Sequence, residues 1–160
     1  MPLVTPLASL RVAVVAATLG AAALPAQQLA LPIKSGSVRF LVLGDAGTGG
    51  REQYEVANQM VSYGRRFPFT FAIMLGDNIY GSERPQDFVN KFEKPYQTLL
   101  DAKVPFYAAL GNHDDPTQRY YKPFNMNGER YYTFTKGNAR FFVLDSNYMD
   151  QTQIKWLVRR

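Results

Sequence analysis

Three short, mostly apolar runs recur along the chain, each closed by a glycine and a polar residue. They are VRFLVL before Gly44-Asp45, FTFAIML before Gly76-Asp77, and VPFYAAL before Gly111-Asn112. Runs of this length bounded by turn residues read as buried strands. Between the first two, residues 51–66 place Tyr54, Ala57, Met60 and Val61 at the spacing of one helix face. Glu52 and Glu55 fall in its first turn and Arg65 and Arg66 in its last, which suits the helix dipole. Between the second and third, residues 86–100 put Phe88, Phe92, Tyr96 and Leu99 on one side. Pro95 interrupts that pattern and is expected to kink or split the helix, because proline lacks an N–H and crowds the preceding turn. Strands alternating with helices imply an α/β fold: a parallel sheet with right-handed crossovers.

After residue 116 the rhythm changes. Residues 131–135 (YYTFT) and 139–144 (ARFFVL) flank Lys136-Gly137-Asn138 and predict a hairpin turning at Gly-Asn. Residues 150–160 open a further helix with Ile154, Leu157 and Val158 on one face, expected to run uncapped to Arg160. The start of the chain is set apart from the fold. Residues 1–26 carry a single cation, Arg11, then a 13-residue apolar run and small residues up to Ala26. A membrane-spanning helix needs about 20 apolar residues. The pattern predicts a signal peptide, export to a secreted or periplasmic location, and no stable membrane span. Residues 27–37 form a short polar lead-in, and the domain occupies 38–160. Loss of the leader takes the net charge from +5 to +4. That suits anionic substrates, but no Lys/Arg stripe marks nucleic acid as a partner.

In open α/β sheets, chemistry collects in the loops at the carboxyl ends of the strands. Asp45 and Asp77 are 32 residues apart, and Asp77 and Asn112 are 35 apart, each about one strand–helix unit. All three therefore belong on one rim. Two carboxylates and an amide oxygen converging there are hard-oxygen ligands that call for a cation; without one, the carboxylates repel. His113 beside them can ligate a metal or move a proton. Taken singly, each residue has a plainer reading. A Gly-Asp after a strand is often a turn or a cap, Tyr80 an ordinary loop aromatic, and Asp145 a structural residue that caps the last helix or closes a turn. The repetition at three successive strand ends carries the argument.

The ordered set Asp45-Ala46-Gly47, Gly76-Asp77-Asn78-Ile79-Tyr80 and Gly111-Asn112-His113-Asp114 resembles the calcineurin-like metallophosphoesterases. Within them it is most similar to the purple, tartrate-resistant acid phosphatase type, whose motifs run DxG, GDxxY, GNH[D/E], VxxH and GHxH. The resemblance covers about residues 38–158, and GDxxY is its most specific part. It implies a two-sheet αββα sandwich, of which this chain holds the first βαβαβ half and a hairpin of the second part. It also implies a binuclear metal-dependent phosphomonoester hydrolase acting on phosphate esters. Asp45 and Tyr80 would then ligate a ferric ion, Tyr80 as a phenolate. Asp77 would bridge the two ions, and Asn112 would ligate the second (ferrous iron, zinc or manganese). His113 would serve the phosphate and the leaving group, with Asp114 orienting it.

VxxH and GHxH are absent, and the chain has one histidine and no cysteine. The resemblance therefore predicts a chain that is the N-terminal portion of a longer protein, or a truncated product. A missing C-terminal half would complete the site, and the chain made alone would be poorly soluble, uncoloured and inactive. Other readings are a phosphodiesterase of the same superfamily, a non-catalytic truncated homologue, and a nucleotide-binding α/β protein. The last draws only on the Gly-rich loop at residues 44–50, which lacks the Lys-Ser/Thr of a phosphate-binding loop.

Overall fold

The first strand, β1 (Phe40–Leu43), feeds helix α1 (Arg51–Arg66), and β2 (Phe71–Met74) and β3 (Phe106–Ala108) follow. The three strands form a parallel sheet in the order β1-β2-β3, with Leu41 opposite Ala72 and Ala72 opposite Phe106. These coordinates are a computed structural model describing residues 33–160. The expected signal peptide at 1–26 and the first part of the lead-in lie outside the described residues.

Alternation along the central strand sorts the layers. Phe71 and Ile73 point one way, with Tyr107 beside them; Ala72 and Met74 point the other, with Phe106 and Ala108. The even-numbered face meets the helices. Ala72 and Met74 share a buried cluster with Ala57 and Met60 of α1, and Phe106 meets Phe92 edge-on at 5.1 Å. The odd-numbered face meets a hairpin, β4 (Tyr132–Lys136) with β5 (Ala139–Val143), joined at Gly137 with φ 54°. Phe134 stacks on Tyr107 at 3.8 Å, and Phe141 meets Phe71 edge-on at 5.3 Å. Phe142, on the hairpin's far side, lies 6.5 Å from Trp156. Trp156 belongs to the last helix, residues Gln151–Val158. Helix, sheet, hairpin and helix thus stack in the order that the resemblance implies for part of an αββα sandwich.

Several details depart from the sequence reading. The helical pattern at 86–100 is three pieces: α2 (Pro85–Phe88), a π-helical turn (Val89–Glu93) and α3 (Gln97–Asp101). The break was expected at Pro95; the wide turn before it was not. On α1 the buried face is Gln53, Ala57 and Met60, while Tyr54 is exposed. Gln53 is held inside by a hydrogen bond at each end of its amide. The last helix, α4 (Gln151–Val158), stops at Val158, with Arg159 as its C-cap rather than running to Arg160. Its buried residue is Gln153, and Ile154 and Val158 are exposed. Gln153 exchanges two hydrogen bonds with the main chain of Asp145, at 2.8 and 3.0 Å. Two 3₁₀ turns, Pro116–Tyr120 and Lys122–Phe124, fill the stretch before the hairpin.

Candidate metal centre

Each parallel strand delivers its polar residue immediately after it ends. Asp45 and Asp77 both sit in the left-handed region, with φ 55° and 51°. Aspartate is among the few non-glycine residues that tolerate this conformation, and such strain gathers where side-chain placement matters. The turns lock together through main-chain contact. The Asp45 N–H donates to the Gly76 carbonyl at 3.2 Å, and the Tyr80 N–H donates to the Gly47 carbonyl at 2.9 Å. Gly111 has no room for a side chain, since a Cβ there would overlap the main-chain nitrogen and carboxylate of Asp77. Gly47 is likewise pressed against the Asn78 carbonyl.

These contacts bring three oxygens together. The Tyr80 hydroxyl lies 3.0 Å from Asp45 Oδ1 and 2.9 Å from Asp77 Oδ2. A phenol has one proton, so it can donate to one carboxylate at a time. The other contact needs a proton or a cation between its oxygens. Tyr80's acidity reflects the same crowding. The hydrogen bond to Asp77 first, then desolvation and then Asp45, hold its hydroxyl far above the ordinary phenol range. A bound cation reverses that direction, because its charge favours the phenolate.

Asp77 is buried, and its Oδ1 accepts the His113 main-chain N–H at 3.2 Å. Asn112 lines a cleft of about 230 Å³ together with Asp45 and Asp77. Ser146 and Asn147, on the loop after β5, line the same cleft. Asn147 Nδ2 donates to the Leu110 carbonyl at 3.3 Å, which ties that loop to the rim. Among the described residues no three of His, Cys, Asp and Glu gather closely enough to hold an ion by themselves. The third donor here is a phenol and the fourth an amide. That set fits a hard cation with further coordination positions open.

His113 is exposed on the rim, its ring 5.3 Å from that of Tyr80. Asp114, expected to orient it, has its carboxylate bonded elsewhere. Asp114 accepts from Asn78 N at 2.8 Å, Ile79 N at 3.2 Å, Asn78 Nδ2 at 3.0 Å, Gly111 N at 2.8 Å and Gln118 Nε2 at 2.8 Å. Among the described residues the His113 imidazole donates none of its bonds. Asp114 instead fastens the loop after β2 to the loop after β3. Its partners Asn78 and Gln118, both buried, were not singled out in the sequence. Gln118 also donates to Glu83 at 2.8 Å. Burial raises the Glu83 carboxyl above its ordinary value, against the lowering effect of its bonds from the Asp115 main chain and Gln118. Asp145 has the structural role read for it. It is buried, paired with Arg130 at 2.7 Å, and accepts the Tyr148 N–H. The cap of α4 is Asp150, whose carboxylate accepts from Gln153 N at 2.7 Å.

Residues 38–157 match the family model described as calcineurin-like phosphoesterase. No curated protein matches the chain.

Proposed function

The chain belongs to the calcineurin-like phosphoesterase family, whose members are metal-dependent phosphoester hydrolases, and from that premise we propose a phosphomonoesterase of the purple acid phosphatase type. One observation carries the finer reading: a single phenol, Tyr80, within 3.0 Å of two rim carboxylates. A tyrosine so placed has a purpose beyond packing, because its hydroxyl cannot satisfy both neighbours by itself.

Asp45 and Tyr80 would hold a ferric ion, Asp77 would be shared, and Asn112 would hold a divalent partner. When bound, such ions supply the positive charge that activates water and neutralises phosphate oxygens. The chain's own residues do the rest. Asp77, fixed by the His113 N–H, keeps the two halves of the rim in register. His113, exposed at the mouth, meets the ester oxygen and gives a proton to the departing alcohol. Ser146 and Asn147 supply polar groups on the cleft's far wall, suited to a phosphate's remaining oxygens. We place the mature protein outside the cytoplasm, following the leader at residues 1–26. With one histidine in the sequence, nitrogen donors are scarce, and we expect the chain as purified, with no metal added, to hold too little metal to be coloured or active, so that colour needs saturating added iron.

The test is spectroscopic. Ferric ion added to the purified chain should produce a visible phenolate band that Tyr80→Phe abolishes. A band unchanged by that substitution, or no band at saturating iron, refutes the assignment. Paired assays on mono- and diesters of one phenol separate a phosphatase from a phosphodiesterase.

A further inference from the structure

Pro95 has a consequence beyond splitting a helix. In an α-helix the carbonyl of residue 91 would accept the N–H of residue 95, and proline has none. The local chain is π-helical, with Lys94 N bonded to the Val89 carbonyl at 2.9 Å. The Lys91 carbonyl is thereby released from the helix, and Gln53 Nε2 of α1 fills it at 2.6 Å. The same amide's Oε1 accepts the Gly49 N–H at 2.6 Å. Gln53 is 4% exposed, and both of its bonds are partly buried. The side chain of Lys91 reaches the other way. Its Nζ donates to the Tyr80 carbonyl at 2.6 Å and the Ser82 carbonyl at 3.1 Å, with Asp87 Oδ1 at 3.4 Å as counter-charge. Gly49, with φ 73°, lies against the Lys91 stem, where a Cβ would come within 3.1 Å of Cγ.

A continuous series of bonds therefore runs from the loop after β1, through Gln53 and Lys91, to the loop after β2. The first loop carries Asp45 and the second carries Asp77 and Tyr80. We propose that Gln53 and Lys91 are positioning residues acting as one clamp, holding the Tyr80 loop against the Asp45 loop so that the phenol faces both carboxylates. This rests on the reading of Asp45, Asp77 and Tyr80 as metal ligands only in its functional half; the clamp itself is independent of metal. Neither side chain touches the reacting groups. A half-buried ammonium engaged by two loop carbonyls, with one carboxylate as counter-charge, is turned toward the main chain, which points to positioning as its role. Outer residues of this kind usually tune metal affinity by about 10- to 100-fold.

The experiment has two arms. In metal-free protein, amide hydrogen exchange is read at Tyr80, whose N–H bridges to Gly47, and at Ala72, whose N–H bonds Pro105 within the sheet. Lys91→Met and Gln53→Met should each speed exchange at Tyr80 by about tenfold and leave Ala72 unchanged. The double variant should add little, because a broken series cannot be broken twice. Unchanged exchange at Tyr80, equal acceleration at Ala72, or fully additive effects overturn the clamp. In the second arm, Mn²⁺ alone is titrated into wild type and both variants by calorimetry. A loss of about tenfold or more in affinity with wild-type exchange at Ala72 supports the positioning role, and equal affinities overturn it. Absence of Mn²⁺ uptake by wild type overturns the metal-centre reading, while the exchange arm still decides the clamp.

Discussion

Replacing Asp114 with alanine separates two roles for that residue. If Asp114 served His113, its loss would lower turnover and leave folding nearly intact. The structure predicts the reverse emphasis. Five donors converge on the carboxylate. Two of them keep another acceptor, since Gln118 retains Glu83 and Asn78 Nδ2 retains the Ala109 carbonyl at 2.7 Å. Three main-chain N–H groups do not: those of Asn78, Ile79 and Gly111. Asn78 and Ile79 are fully buried, and Gly111 is half-exposed and can turn to water. An unpaired buried donor costs about 1–3 kcal/mol. Two such groups, less the solvation regained by removing a half-buried charge, come to about 3 kcal/mol. That is a large share of the roughly 5–15 kcal/mol that holds a typical domain together. Asp114→Asn keeps one acceptor oxygen but turns an NH₂ toward donors, so it should lose about 1–2 kcal/mol. His113→Ala, at an exposed ring, should stay within about 0.5 kcal/mol of wild type. Urea unfolding measures all three, with unchanged m confirming a common unfolded state. An Asp114→Ala loss below about 1 kcal/mol would refute the view of this carboxylate as the fastener of two loops.

Three further outcomes follow from the same geometry. Burial raises the Glu83 carboxyl, so the folded state binds its proton more tightly than the unfolded chain; stability from this group is complete below the unfolded value of about 4.3 and fades as pH climbs through the folded one. Glu83→Gln, which retains an acceptor for Asp115 and Gln118, should therefore raise the melting temperature relative to wild type at pH 7 but not at pH 4, and an equal difference at both would contradict this. Gly47→Ala should destabilise by about 1–3 kcal/mol through overlap with the Asn78 carbonyl rather than backbone strain; chemical denaturation that shows wild-type stability rules out the tight contact. Gln153→Leu strands the main-chain N–H and carbonyl of Asp145 and should lose about 2 kcal/mol, and a thermal melt matching wild type would show that water replaces the amide.

What could be read from the sequence depended on whether the signal was periodic. The strand–helix alternation and the hairpin with its turn at Gly137 are written in the spacing of apolar residues, and the structure has both. Tyr54 shows where that method stops. Periodicity placed it on the buried face of α1, but the next position back, Gln53, is the one inside. An amide can occupy a core only if both of its ends are bonded, and here they are bonded to Gly49 and Lys91. No pattern local to α1 carries that information, since Lys91 is 38 residues away. Asp114 is a parallel case. Its position after His113 suggested a pair, whereas its acceptor geometry is set by Asn78 and Ile79 on another loop.

The convergence of Asp45, Asp77 and Asn112 was legible because it follows from strand register, and the register explains more than the spacing did. Leu43 pairs with Met74, so two residues further Asp45 lies level with Gly76, one short of Asp77. Met74 pairs with Ala108, so Asp77 lies level with Gly111, one short of Asn112. Asp77 and Asn112 thus each sit one step beyond the level of the residue before them, and Asp45 and Asp77 are each level with a glycine on the next strand. The stagger makes the glycines necessary: the main chain of one loop must pass where the neighbour's Cβ would be, as Gly111 does beside Asp77. A uniform level would have set Asp45 directly beside Asp77, carboxylate against carboxylate. The offset instead leaves a gap at the rim, and Tyr80, three residues past Asp77 and fixed to the Gly47 carbonyl, is the side chain whose hydroxyl enters it. The repeated Gly-then-polar pattern and the tyrosine of the second loop therefore share one geometry: a rim on which the Tyr80 hydroxyl meets the carboxylates of Asp45 and Asp77.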